Sequence, residues 1–322
     1  MKKMLKIFGI IILVIVVLFI CLLLIASNKN EKYYKYSKTE GSIEKKYTAL
    51  GDKKVISKEY NAENDTIKKY VFYYPEEIEN SNKKYPIVIW ANGTGSTSAT
   101  YASFFKHLAS WGFIIVGNDD QNTRTGESLN SSIDLLIKEN DNKKSIFYQK
   151  LDLNNIGIGG HSQGGAAVYN MAANQPHKDM IKAIYAVSAT SSYHTSVMKD
   201  GWEYDISKVN VPAFLTAGTG LWDAGNCTRK DQIPDDSNGL AQGICPLWSL
   251  EENYNNLPDT INKVIVRKKD VDHGNTYTEF DGYMTAWFMY YLENDESAKE
   301  AFTVNGELSK NSLYQNFKSN IQ

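Results

Sequence analysis

Short apolar runs along the chain alternate with longer segments in which apolar residues recur at helical spacing. The apolar runs predict strands at 55–60, 67–74, 87–91, 113–116, 155–159, 181–187, 211–217 and 261–267. The helical spacing predicts helices at 101–111, 130–137, 166–173 and 276–293. Continuously apolar strands are typical of a sheet that is buried on both faces. The alternation therefore predicts an α/β fold with a mostly parallel central sheet and helices on both faces.

The N-terminal pattern is different, because residues 7–26 form an uncharged and nearly all-apolar run that follows Lys2, Lys3 and Lys6. A helix of that length spans about 30 Å, which is enough to cross a bilayer. The lysines favour a cytoplasmic N-terminus, so we expect a transmembrane anchor with the remainder of the chain extracytoplasmic. The alternative is a signal peptide cleaved near Ala26, which would give a secreted protein, although the run exceeds the usual signal-peptide core.

The composition and the motifs limit the classes of ligand that we expect. The formal net charge of −2 gives no reason to expect nucleic-acid binding. No metal-ligand spacing or nucleotide-binding motif occurs in the sequence, so we expect neither a metal ion nor a cofactor. The predicted organisation is an anchor at 1–26, a polar tether at 27–42 and one folded domain at 43–322.

The most informative motif is the G-x-S-x-G sequence formed by residues 160–164, with Ser162 at its centre. A β-branched run precedes it and an alanine-rich helical segment follows it. This context is typical of a nucleophile elbow, in which a sharp strand-to-helix turn exposes the serine hydroxyl. Glycines are needed on both sides because side chains there would clash with the turn.

A serine nucleophile needs a base, and the base needs an acid that orients it. After this elbow the usual chain order is acid and then histidine. Asp223 follows the strand at 211–217 and His273 follows the last strong strand, so both belong at the sheet edge where Ser162 is expected. His194 is the alternative base. The alternative acids Asp270 and Asp272 lie so near His273 that their side chains would have difficulty reaching its ring.

The oxyanion hole of such a site uses two backbone N–H groups, one from the residue after the nucleophile and one from a preceding strand-end loop. Gln163 supplies the first candidate. The loop of residues 92–95, which is rich in glycine, supplies the second at Thr94. Tyr101, Trp222 and Trp248 are candidates for a substrate pocket, although the two tryptophans are equally compatible with core positions.

The elbow, the segments 85–95 and 108–116, and the ending 286–302 resemble the α/β-hydrolase superfamily over about residues 47–317. More narrowly, the chain resembles the branch that contains dienelactone-hydrolase-like enzymes, chlorophyllase, platelet-activating-factor acetylhydrolases and bacterial cutinase-like polyester hydrolases. The resemblance implies the α/β-hydrolase fold and a serine hydrolase with Ser162, Asp223 and His273 as the triad. The chain departs from it at Asn92, where many relatives have histidine, and in a long insert at 224–257.

The insert contains Cys227 and Cys245. In an extracytoplasmic domain these two cysteines are expected to form a disulfide that closes the insert, with two free thiols as the alternative.

The leading functional hypothesis is a membrane-anchored, extracytoplasmic serine esterase or lipase-like enzyme that acts on an ester or lipid-like substrate. An acyltransferase or amidase with the same triad is the second hypothesis. A catalytically silent surface-binding protein on this fold is the third, and the complete set of serine, aspartate and histidine argues against it.

Overall fold

The computed structural model describes residues 11–20, 28–198, 201–233 and 242–322. The chain divides into two compact units, Met1–Ser37 and Lys38–Gln322. In the first unit, residues 11–20 and 28–31 are helical. Among the described residues, no helix has the length and apolar character needed to span a membrane. The predicted span of 7–26 lies partly outside the described residues, since 7–10 and 21–26 are not among them.

The second unit is built on a nine-stranded sheet. Its strands are β1 (Val55–Asn61), β2 (Lys69–Pro75), β3 (Tyr85–Ala91), β4 (Ile114–Asn118), β5 (Leu151–His161), β6 (Ile181–Val187), β7 (Ala213–Gly218), β8 (Lys263–Lys268) and β9 (Tyr314–Ser319). They are arranged in the order β1-β2-β4-β3-β5-β6-β7-β8-β9. The pairs from β4 to β8 are parallel, while β1, β2 and β9 are joined by antiparallel pairing at the two edges.

The helices of this unit are α1 (Ser42–Thr48), α2 (Ala102–Ser110), α3 (Glu127–Asp141), α4 (Gln163–Asn174), α5 (Ser192–Val197), α6 (Leu221–Ala224), α7 (Leu247–Asn256), α8 (Thr276–Glu279), α9 (Asp281–Glu293), α10 (Glu296–Lys299) and α11 (Glu307–Lys310). The mostly parallel sheet with its connecting helices confirms the predicted α/β architecture.

Most residues of the central strands are buried because both faces of the sheet are covered. Every residue of β3 is buried, as its continuous apolar sequence predicts. In β5, Gly157 and Gly159 leave room for two large rings: a Cβ atom at Gly157 would lie 2.7 Å from Phe288, and one at Gly159 would lie 2.7 Å from Trp90. Aromatic side chains from the neighbouring elements thus fill the space that the glycines leave.

Several elements of the structure differ from the sequence-based expectation, among them the short helices α5, α6, α7, α10 and α11, which were not predicted. The predicted closing helix is two helices, α8 and α9, because Phe280 leaves helical geometry with φ −97° and ψ 0°. Helix α1 and strand β9 were not expected. Both are short and contain many polar residues, so neither shows a clear apolar period.

The parallel strands β3, β5, β6, β7 and β8 all have their carboxyl ends at one edge of the sheet. The loops that follow these strands therefore meet there, and they carry all the candidate catalytic residues.

Candidate active site

Ser162 lies at the sharp turn between β5 and α4, with φ 60° and ψ −122°. The flanking glycines are required by packing. A Cβ atom at Gly160 would overlap the carbonyl oxygen of Gly164, and one at Gly164 would overlap that of Ala91. The strand, turn and helix thus have the geometry of a nucleophile elbow.

Asp223 and His273 meet Ser162 at this edge of the sheet. Asp223 lies in α6, which begins shortly after β7, and His273 lies in the loop after β8. His273 Nδ1 is 2.9 Å from Asp223 Oδ1, and His273 Nε2 is 3.0 Å from Ser162 Oγ. With the Nδ1–H bond donated to the carboxylate, the Nε2 lone pair is free to accept the hydroxyl proton.

The Asp223 carboxylate is completely buried, with an exposed fraction of 0%. Its Oδ2 atom accepts hydrogen bonds from the Ser188 hydroxyl at 2.8 Å and from the Gly218 N–H group. Ser188 has a positive φ of 50° directly after β6. Sequence reasoning missed Ser188, because no motif marks it and its role follows only from the pairing of β6 beside β5 and β7.

The alternative acids contact other groups. Asp272 Oδ1 accepts the backbone N–H groups of Asp223 at 3.0 Å and of His273 at 2.8 Å. Asp270 has a positive φ of 58°, and its N–H group donates to the Thr219 hydroxyl at 2.9 Å. The contacts of Asp272 therefore hold the backbone around the site, while Asp270 occupies the turn.

His194, the alternative base, is buried beside other partners. Its Nδ1 lies 3.0 Å from Ser191 Oγ, and its Nε2 lies 3.3 Å from the Gln242 side-chain nitrogen. Burial lowers the pKa of His194. It therefore forms part of a buried polar cluster separate from the Ser162–His273 pair.

The two candidate oxyanion donors lie next to Ser162. Gln163 is the first residue of α4, a position where the helix leaves the N–H group without an internal acceptor. The loop with Thr94 is close, since a Cβ atom at Gly93 would lie 3.4 Å from Ser162 Cβ. Within the part of the chain that the structure describes, neither amide donates to a hydrogen bond.

Asn92, where many members of the resembled family have histidine, fixes the position of this loop through its hydrogen bonds. Its side-chain nitrogen donates to the carbonyl oxygen atoms of Asn118 at 2.7 Å and Asp120 at 2.9 Å. The Thr123 hydroxyl in turn donates to the Asn92 carbonyl oxygen at 2.8 Å. These bonds tie the loop after β3 to the end of β4.

The three candidate pocket residues have different surroundings. Tyr101 is only 1% exposed, and its hydroxyl group accepts the Gly93 N–H bond at 2.9 Å. It lies beneath the loop rather than on an open wall, which corrects the prediction. Trp222 is 57% exposed, whereas Trp248 is partly buried with Lys230 Nζ 6.0 Å from its ring centroid. The structure therefore leaves Trp222 as the candidate that is open to solvent beside Asp223.

The predicted disulfide between Cys227 and Cys245 is wrong, because both cysteines are free. Cys245 is 1% exposed and belongs to the hydrophobic core. Cys227 is only partly buried, and its thiol is 3.5 Å from the carbonyl oxygen of Gln232. The two sulfur atoms thus have separate environments, one in the core and one in a surface loop.

Across the described ranges, no three His, Cys, Asp or Glu side chains cluster in a way that could hold a metal ion. The expectation of a metal-free and cofactor-free site stays a prediction.

The fold and the elbow define the class of protein, which is a serine hydrolase of the α/β-hydrolase superfamily. A family model described as PET hydrolase-like matches residues 54–220. The chain belongs to the PET hydrolase-like family, and it is a carboxylic-ester hydrolase of the α/β-hydrolase class.

The curated relatives agree with this assignment. The chain is 26% identical over 231 residues to cutinase 2 of Thermobifida cellulosilytica, which covers 69% of this chain and 73% of the relative. It is also 26% identical to cutinase cut1 of Thermobifida fusca and cutinase est1 of Thermobifida alba. These matches again cover 69% of this chain, but only 60% and 64% of the two relatives.

Proposed function

We propose that this chain is a membrane-anchored, extracytoplasmic serine esterase that works through an acyl-enzyme. The supporting observation is the continuous hydrogen-bonded series from Ser162 Oγ through His273 to the buried Asp223 carboxylate. The cutinase names of the relatives and the PET hydrolase-like family model support a lipid-like or polyester ester as the substrate.

The chemistry follows from the three side chains. Ser162 Oγ attacks the ester carbonyl carbon while His273 Nε2 takes the hydroxyl proton, and Asp223 stabilises the resulting imidazolium. The Thr94 and Gln163 amides donate to the tetrahedral oxyanion. His273 then protonates the departing alcohol. Water attacks the acyl-enzyme with His273 as base, and the carboxylic acid leaves.

The test is a series of p-nitrophenyl esters of increasing acyl length, measured with the wild type and with Ser162→Ala. We expect the variant to lose at least about a thousandfold in turnover, because the nucleophile is absent. A fluorophosphonate probe should label the wild type at Ser162 and leave the variant unlabelled. Wild-type protein that neither labels nor hydrolyses esters would indicate the silent surface-binding protein instead.

Hydrolysis and acyl transfer share the same acyl-enzyme, so the acceptor needs its own measurement. We expect release of free acid from an ester in water, with no requirement for an added alcohol or amine. An absolute requirement for such an acceptor would favour the acyltransferase, and faster cleavage of an anilide than of the matched ester would favour the amidase.

The proposed anchor rests on the apolar run at 7–26 behind three lysines. Within that run, the described helical residues 11–20 are all apolar and exposed. We expect the protein to sediment with membranes and to keep its N-terminal segment. Intact-mass analysis that finds a new terminus near residue 27 would show a cleaved signal peptide, and the enzyme would then be secreted.

A further inference from the structure

A series of hydrogen bonds connects three parts of the site, which are the loop after β3, the elbow and the loop with His273. The Gly93 N–H group donates to the Tyr101 hydroxyl oxygen at 2.9 Å, and that hydroxyl lies 3.2 Å from His161 Nδ1. His161 Nε2 lies 3.0 Å from the carbonyl oxygen of His273.

The donors in this series are fixed by chemistry. A carbonyl oxygen only accepts, so His161 Nε2 carries the proton and donates it to His273. A neutral imidazole then has an accepting Nδ1, which takes the Tyr101 O–H bond. Tyr101 is thus a donor to His161 and an acceptor from Gly93 at the same time.

Burial keeps both side chains in the required neutral forms. It raises the pKa of Tyr101 to about 12, so the hydroxyl keeps its proton. Burial, together with the neighbouring His273, lowers the pKa of His161 to about 3. The His161 ring lies close to the rings of His273 and Tyr277, with centroid distances of 4.7 Å and 5.4 Å. Tyr101 and His161 are therefore both neutral at neutral pH.

Each end of the series is next to a group of the proposed mechanism. Gly93 precedes Thr94, the proposed oxyanion donor, and the other end is the backbone carbonyl of the proposed base, His273. His161 precedes Ser162 directly. Tyr101 is the last residue of the short 3₁₀ helix Ser98–Tyr101, directly before α2. Its hydroxyl group connects the loop after β3 to the elbow.

We propose that Tyr101 and His161 are positioning residues that hold the oxyanion loop and the His273 backbone in register with Ser162. The inference rests on the proposed serine esterase function. Neither side chain contacts the reacting atoms. Their contribution is to keep the Thr94 amide and the His273 ring at the geometry that the transition state needs, because small displacements of such groups are costly to the rate.

The first test is Tyr101→Phe, which removes the hydroxyl group and keeps the ring. The matched control is Tyr185→Phe: Tyr185 is also fully buried, and its hydroxyl lies 3.0 Å from Thr216 Oγ1. We expect Tyr101→Phe to lower kcat by about tenfold with KM nearly unchanged, since the affected amide acts mainly in the transition state. We expect Tyr185→Phe to keep the wild-type kcat. Equal kcat values for the two variants would overturn the proposal.

The second test is a double-mutant cycle with His161→Phe, which keeps an aromatic ring beside His273 and Tyr277. If both residues act through one series, the double variant should lose no more activity than the worse single variant. A double variant whose loss of activity equals the product of the two single losses would show that the residues act independently, and it would contradict the proposal. Thermal unfolding of all variants separates these effects from a loss of folded protein, and Tyr101→Phe alone decides the matter if His161→Phe does not fold.

Fluorophosphonate labelling keeps this proposal distinct from the proposed function. A wild type that does not label refutes the serine esterase itself. A wild type that labels and hydrolyses esters, with Tyr101→Phe labelling as fast as Tyr185→Phe, refutes only the positioning role.

Discussion

Asp223 is the buried acidic residue of the candidate site. Its carboxylate is fully buried and accepts three hydrogen bonds, from His273, Ser188 and Gly218. Such bonds stabilise the ionised form in a buried place, where an unpaired charge would be costly. Asp272, by contrast, uses one oxygen to accept two backbone N–H groups.

Asp223→Asn should therefore lower kcat by about 10³ to 10⁴, because an amide can hold the wrong tautomer of the histidine. Asp272→Asn keeps an oxygen that can accept the same backbone bonds, so it should lose only a few fold. Steady-state rates of both variants with one p-nitrophenyl ester check this pair. A severe loss in Asp272→Asn with a mild loss in Asp223→Asn would show that the proposed acid is misassigned.

At the residue scale, the sequence indicates those site residues that lie in a motif or directly follow an apolar strand. Ser162 has its glycines, and Asp223 and His273 each follow an apolar strand. Ser188 and the Tyr101–His161 contact carry no such pattern. They arise from side chains of different loops that meet only when the strands are placed side by side, so single-sequence reasoning had no means to pair them.

At the scale of elements, helix α1 is fastened to the loop that carries His273. Glu44 of α1 is buried 3.5 Å from the buried Nζ of Lys268, which ends β8. Lys268 Nζ also lies 3.1 Å from Glu279 in α8, so this second ion pair joins the end of β8, before the His273 loop, to the helix that follows the loop. Tyr314 of β9 and Asn311 donate further hydrogen bonds to Glu44. Polar tertiary contacts thus stabilise α1 and β9, which explains why their apolar pattern is weak.

Lys268→Met should lower the free energy of unfolding by about 3–5 kcal/mol, because it leaves the buried Glu44 carboxylate without its cation. Lys263→Met is the control. Lys263 Nζ is equally buried, but its acidic partner Asp259 is 97% exposed and remains solvated after the change. Urea unfolding of the two variants measures the difference. A loss in Lys268→Met no larger than that in Lys263→Met would show that the buried pairs contribute little.

At the scale of the whole molecule, the central sheet explains why the fold class could be predicted and the insert could not. The buried parallel strands need continuous apolar sequences, and these are visible in the chain. The insert follows no such rule. Its two cysteines suggested a crosslink, but Cys245 packs into the core while Cys227 remains in a surface loop.

The unfolding temperature of the protein should consequently be the same with and without a reducing agent. Iodoacetamide should alkylate Cys227 in the native protein and Cys245 only after unfolding, because burial protects its thiol and raises its pKa. Peptide mapping by mass spectrometry distinguishes the two sites. Recovery of a peptide in which the two cysteines are linked would contradict this prediction of two free thiols.

The backbone of Ser162 sets a trade-off between stability and activity. Its φ of 60° and ψ of −122° fall where a residue with a side chain is held only at a cost of about 1–3 kcal/mol, which glycine largely avoids. Ser162→Gly should therefore unfold at a higher denaturant concentration than Ser162→Ala, although both lack the nucleophile. Stability screens of this chain that ignore activity would then favour loss of the very residue that the elbow presents, so any search for a more robust variant has to select for turnover at the same time.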